Sequence, residues 1–200
     1  IVALVHKKMR EVIEPGISTK ELDDIAMRII KSERAIPTFL GYNGFPASIC
    51  ASINEQVVHG IPHENVTVKE GDIISIDVGA TFAGISQMRA GNVLDDISGA
   101  VEDVAVREKM GIVRQYGGHG VGHAMHEEPF LFNYRVGDNT LIKQGYAIAI
   151  EPMLNLGCDE VEVADDEWTV STADKKPSAH FEHTVLATEG EPLIITQLME

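Results

Sequence analysis

Cysteine is scarce in this chain: Cys50 and Cys158 are the only two. That is too few for a disulfide framework, and a reducing compartment fits. Bases are scarce as well. Lys and Arg number 16 against 31 Asp and Glu, a formal net charge of −15, which argues against a nucleic-acid surface as the main business. No apolar run approaches the roughly 18–20 residues of a membrane span. The opening residues lack a signal-peptide pattern, so no membrane binding and a cytoplasmic location are expected. The chain begins at Ile1 without an initiator methionine, which reads as a trimmed start. What is present is ordinary for a globular protein: 200 residues, 44% hydrophobic and 24% charged, enough for one domain with a sizeable core.

Along the chain, residues 1–13 look helical until Glu14-Pro15-Gly16 breaks them. Ser18 and Glu21 form a capping box, and Leu22, Ile25, Ala26, Ile29 and Ile30 then repeat at helical spacing to about residue 33. Gly41-Tyr42-Asn43-Gly44-Phe45-Pro46 is a turn carrying two aromatics, with a strand expected through Ile49 and Ile53. His59 follows Val57-Val58 and is fixed by Gly60 and Pro62, which positions it better than an average surface histidine, although a satisfied edge residue would look the same. A helix is expected after Gly91-Asn92, with Leu94, Ile97, Val101, Val104 and Ala105 on its buried face. Trp168 is expected on the returning arm of a hairpin whose acidic residues, from Asp159 to Glu167, read as solvated. A last strand should run from Leu193 to Thr196. Strand groups alternating with helices suggest an α+β fold, a largely antiparallel sheet covered by helices. Each half runs helix, strand pair, acid-bearing strand, which hints at an internal pseudo-repeat.

Two features call for chemistry. Between Gln115 and Pro129, His119, His123 and His126 fall among Gly117, Gly118, Gly120 and Gly122. Glycine is costly inside regular structure, so four together imply backbone brought close to something else. A neutral imidazole there can ligate a metal or carry a proton, although a solvated turn would look much the same. The second feature is three acids, Asp77, Glu151 and Glu182, each in an aliphatic stretch that reads as a strand. A buried carboxylate either takes up a proton or sits beside cations. One such acid could face water from a sheet edge. Three acids with a glycine-flanked histidine favour a cation site.

In order along the chain stand His59 in Val-His-Gly-Ile-Pro, Asp77 in Ile-Asp-Val-Gly and His119 in Gly-His-Gly-Val-Gly. His126 in His-Glu-Glu-Pro, Glu151 in Ile-Glu-Pro-Met and Glu182 in Phe-Glu-His-Thr follow. This ordered set closely resembles the type I methionine aminopeptidases over nearly the whole chain. The resemblance implies the pita-bread fold, a pseudo-twofold α+β architecture with its metal site in the middle of a curved sheet, and a single catalytic domain over residues 1–200. It implies removal of N-terminal methionine from peptides or nascent proteins. Two divalent ions (Co, Mn, Fe or Zn) would activate a water. By the same resemblance Glu182 bridges the metals, Asp77 chelates one, and His119 and Glu151 bind the other. Glu151 also relays a proton, His126 donates to the tetrahedral intermediate, His59 steadies the substrate amide, and the substrate's free α-amine contacts a metal. Tyr42, Phe45, Cys50, Met125 and Trp168 match or replace positions lining the side-chain pocket. His123 and His183 are left to structural roles. A monomer is expected, with the ribosome as a candidate partner.

The chain departs from that family pattern in two places. A helix that usually precedes Ile1 is missing. Between Phe82 and Ile85, a partner strand with a His-Gly-Asp sequence and its bridging aspartate is also missing. Loss from a sheet centre would expose apolar surface and an unpaired edge, which favours an omitted segment over a deleted one. Without that aspartate one ion keeps His119, Glu151 and Glu182, the other only Asp77 and Glu182, so the second site should be weak. Alternatives are a silent or single-metal binding module of the same fold, or an Xaa-Pro aminopeptidase; the short chain, His59 and Trp168 lean against the latter.

Overall fold

The computed structural model describes residues 2–33, 35, 37, 39–75 and 83–197. Asp77 and the strand expected around it lie outside the described residues, as does part of the pattern break beside it. Helices α1 (Val2–Val12), α2 (Thr19–Ser32) and α3 (Leu94–Glu108) accompany short strands. These are β1 (Gln56–Val58), β2 (Gly111–Ile112), β3 (Gly118–Gly120), β4 (Glu127–Leu131), β5 (Ala147–Ile150) and β6 (Met153–Asn155). The remainder are β7 (Val161–Val163), β8 (Val170–Thr172), β9 (Ser178–His180), β10 (His183–Leu186) and β11 (Leu193–Ile194). They form sheets ordered β1-β8-β7, β11-β10-β5-β3-β4 and β2-β6-β9. Every ladder among the described residues is antiparallel. The α+β expectation therefore holds.

Helix α2 starts where the capping box put it. Ser18 Oγ accepts from the Glu21 amide at 3.1 Å and the Glu21 carboxylate accepts from the Ser18 amide at 2.9 Å. Two amides that would otherwise lack partners at the helix start are thereby satisfied. Helix α3 begins at Leu94, its approach held by the Val93 amide on the Asp96 carboxylate at 2.9 Å. It ends at Lys109, whose left-handed φ of 57° turns the chain out.

Helix α3 also organises the core. Leu94 and Ile97 pack with Ile148, Ile150 and Val185 of the five-stranded sheet. One to two turns on, Val101 and Ala105 pack with Ile112 and Leu154 of the β2-β6-β9 sheet. The helix thus covers one face of two sheets and bridges the place where they meet. A third apolar cluster, with Val57, Val113, Met153 and Val170, joins the β1 sheet to that body.

Several expectations are corrected. No strand runs through Ile49 and Ile53; Ile53 makes only an isolated bridge with Ile74. The buried Asp23 carboxylate of α2 accepts the amides of Ser48 at 2.8 Å and Ile49 at 3.3 Å, taking donors a ladder would need. The last strand is shorter than expected, Leu193–Ile194. Trp168 sits in the hairpin tip before β8, and not all the acids there are merely solvated. Asp166 accepts from the amides of Trp168 and Thr169, and Asp159 from the Ile112 amide.

Because Asp23 ties the 41–49 loop to α2, Asp23→Ala should cost about 3 kcal/mol in urea unfolding, leaving buried amides without an acceptor. Ile97→Ala should cost a similar amount through a cavity, but at the back of the sheet. Only the Asp23 change should also disturb the loop bearing Tyr42 and Phe45, read by tryptophan fluorescence at Trp168.

Candidate metal and peptide site

Two chain segments run side by side through the five-stranded sheet and the β2-β6-β9 sheet. Strand β5 pairs with β10 and, further on, β6 pairs with β9. Both segments are interrupted at the same height: Glu151-Pro152 separates β5 from β6, and Phe181-Glu182 separates β9 from β10. Registers of Ile150 with His183 and Met153 with His180 bracket the break. Proline has no amide to continue a ladder. The two glutamates therefore stand opposite each other at the interruption, and not within strands as expected from sequence. Alternation decides the face. Ile148 and Ile150 turn to α3, which leaves Ala149 and Glu151 on the other side. Strand β3 lies against β5 with His119 opposite Ala149, which brings its imidazole to the same face.

The glycines make that approach possible. A side chain at Gly118 would run into the Ala149 carbonyl, and one at Gly120 into the Glu128 carbonyl. Backbone brought close to backbone is the reason for the glycine run.

Glu151 is held between two imidazoles. His119 Nε2 lies 3.6 Å from its Oε1, and His180 Nε2 lies 3.2 Å from its Oε2. His119 Nδ1 is 3.0 Å from the Gly120 carbonyl, so that nitrogen carries the proton and in the neutral ring Nε2 offers its lone pair. One ligand atom each from Glu151, His180 and Glu182 lie within 4.8 Å of one another. Solvent reaches the Glu182 side chain, but the protein around it and then the Glu151 charge push its pKa up. Among the described residues, no lysine or arginine pairs with either glutamate; the groups beside Glu151 are imidazoles. Two facing carboxylates short of positive charge, with imidazole nitrogens beside them, fit divalent cations. His180 was not singled out from sequence. The available signal was its place two residues before Glu182, the spacing that shares a strand face.

His126 stacks beside His119, ring centroids 4.0 Å apart, and its Nδ1 is 3.2 Å from Tyr42 Oη. Reduced hydration and then the neighbouring His119 keep its pKa below the ordinary 6.5. His59 takes a left-handed φ of 59°, uncommon for a non-glycine residue, and burial keeps its pKa low too. Its ring meets those of Tyr116 and Trp168 edge-on, each at 6.1 Å.

A cavity of about 550 Å³ is lined by His59, Tyr116, His119, His126, Glu128 and Glu151, among others. Beside it, a smaller one of about 190 Å³ is lined by Phe39, Tyr42, Phe45, Cys50, His59, Met125, His126 and Trp168. All five side-chain pocket residues expected from sequence are thus brought to one cavity, with Phe39 as an unforeseen addition. Trp168 packs edge-on against Phe45 at 5.1 Å. Burial raises the Cys50 thiol to about 12, so it lines the pocket as a neutral group. His183 bonds to Thr196 Oγ1 at 2.8 Å, and His123 is exposed.

The model of metallopeptidase family M24 matches residues 1–86 and again 80–189. The overlapping halves meet where the family pattern breaks. Methionine aminopeptidase 1 of Bacillus subtilis (strain 168) is 42% identical, covering 99% of this chain and 93% of its own length. That alignment runs over 231 positions against a chain of 200, so the relative has positions without a counterpart here. The crystal structure of methionine aminopeptidase from Thermotoga maritima superposes with a TM-score of 0.95 at 33% identity, covering 98% of this chain and 92% of that one. The Xaa-Pro dipeptidase from Bacillus anthracis, at 16% identity and a TM-score of 0.66, covers 100% of this chain and 58% of its own and shares the fold alone. Placed with the glutamate pair, the imidazoles and the antiparallel sheets, these similarities carry the conclusion that the chain belongs to metallopeptidase family M24, among the methionine aminopeptidases of pita-bread fold.

Proposed function

We propose that this chain removes the N-terminal methionine from peptides and nascent proteins by metal-assisted hydrolysis, as one catalytic domain over residues 1–200. One observation carries the reading: the Glu151, Glu182 and His119 cluster opens beside an apolar cavity with aromatic and sulfur-bearing walls. Such walls suit an unbranched thioether, because sulfur packs well against ring edges. Glu182 and Asp77 would hold one ion, and His119, Glu151 and Glu182 would hold a second. Divalent ions of the Mn, Fe, Co or Zn kind, when bound, supply Lewis acidity and lower the pKa of a water.

The remaining steps belong to side chains. Glu151 accepts the proton of the attacking water and passes it toward the leaving amine. Tyr42 O–H donating to His126 Nδ1 leaves the ring proton on Nε2, so a neutral His126 can donate to the oxyanion of the tetrahedral intermediate. Neutral His59, pinned between Tyr116 and Trp168, steadies the substrate amide. The same reading makes the protein a cytoplasmic monomer.

Release of methionine from a Met-Gly-type peptide in the presence of Mn or Co tests the proposal. Chelation and Glu182→Gln should each lower the rate, the latter by at least about a hundredfold. Turnover that survives a chelator would overturn the metal reading. Trp168→Ala should raise KM several-fold with a smaller change in kcat. Asp166→Ala should do the same more weakly, since that carboxylate fixes the Trp168 and Thr169 amides. Because His59 and His126 are held below 6.5, both stay neutral as pH falls to that value. Any fall of kcat/KM due to their protonation should come below pH 6.5, as a pH–rate profile would show.

A further inference from the structure

We propose that His180 is itself a ligand of the bound metal, adding an imidazole to the cluster. This rests on the metal site proposed above and concerns how that site is built. Three observations carry it. The Nε2 atom of His180 is 3.2 Å from Glu151 Oε2, the oxygen not facing His119. A ring nitrogen of His180 belongs with carboxylate oxygens of Glu151 and Glu182 to a group whose atoms lie within 4.8 Å of one another, so one ion can reach all three. The backbone that carries the ring is also fixed, because the His180 amide donates to Ser75 Oγ at 3.1 Å and β9 is paired with β6 at Met153.

Charge and donor chemistry agree. Two carboxylates balance one divalent ion, and His119 with His180 would complete two oxygen and two nitrogen donors, a number and kind that suit zinc or cobalt. An added imidazole moves selectivity toward the later divalent metals and away from manganese. The other role open to His180 is to orient Glu151 by a hydrogen bond without touching metal. A glutamine could supply that bond through its amide but would be a poor substitute for an imidazole ligand.

Binding of Co(II) and Mn(II) to the wild-type chain, His180→Gln and His180→Ala should be measured by calorimetry, with proton NMR of the cobalt forms. Thermal melting of the metal-free proteins checks that the variants fold. We expect hyperfine-shifted resonances from two imidazoles in the wild type and one in His180→Gln. Cobalt affinity should fall on the order of tenfold or more in both variants, and manganese affinity by less. One shifted imidazole in the wild type, or full recovery of cobalt affinity in His180→Gln, would overturn the assignment in favour of orientation alone. A wild-type chain that binds neither ion would overturn the metal site itself.

Discussion

Two glutamates that face one another at a break in a strand pair set the terms for the rest of this protein. Glu151 and Glu182 cannot both be charged there cheaply: burial first, and then the Glu151 charge, pushes the pKa of Glu182 up. The protein does not relieve the conflict with lysine or arginine among its described residues. Histidines stand on either side of Glu151 instead. That choice leaves the site short of positive charge and gives it nitrogen donors, which is what a divalent cation needs.

The frame keeps those groups in place at some cost in regularity. Proline in one strand and the Phe181-Glu182 step in the other interrupt the ladder where the acids stand. Helix α3 spans the interruption from behind, with its first half on one sheet and its second on the other. Its apolar packing stabilises a place where hydrogen bonding is broken. In front, glycines in β3 let backbone approach backbone closely enough for His119 to reach Glu151. Core, strand break and site are parts of a single arrangement.

The pocket depends on more distant anchors. Asp23, buried on α2, holds the loop that carries Tyr42 and Phe45. Asp166 fixes the hairpin tip that presents Trp168. Neither acid touches the cavity, yet each sets the position of an aromatic wall. In a chain with so many surplus acids, some carboxylates work as backbone acceptors, a use that net charge does not reveal.

Much was readable before any coordinates. The Ser18–Glu21 box and the apolar face of α3 follow from local spacing, because helix caps and helix periodicity are properties of neighbouring residues. The ordered motifs around His59, His119, His126, Glu151 and Glu182 pointed to the family, and the acids in aliphatic stretches pointed to a cation. The contact between Glu151 and His180, the strand breaks that expose the glutamates, and the loop at 47–53 in place of a strand were decided by tertiary structure. Each rests on partners far apart in sequence: Asp23 removing amides from a would-be strand, and two segments interrupted at the same height. The sequence by itself determined which residues could do chemistry here, since side-chain type and local spacing are enough for that. Only the tertiary structure decided which of them meet, because convergence depends on sheet register, and register is set by pairings no single segment contains.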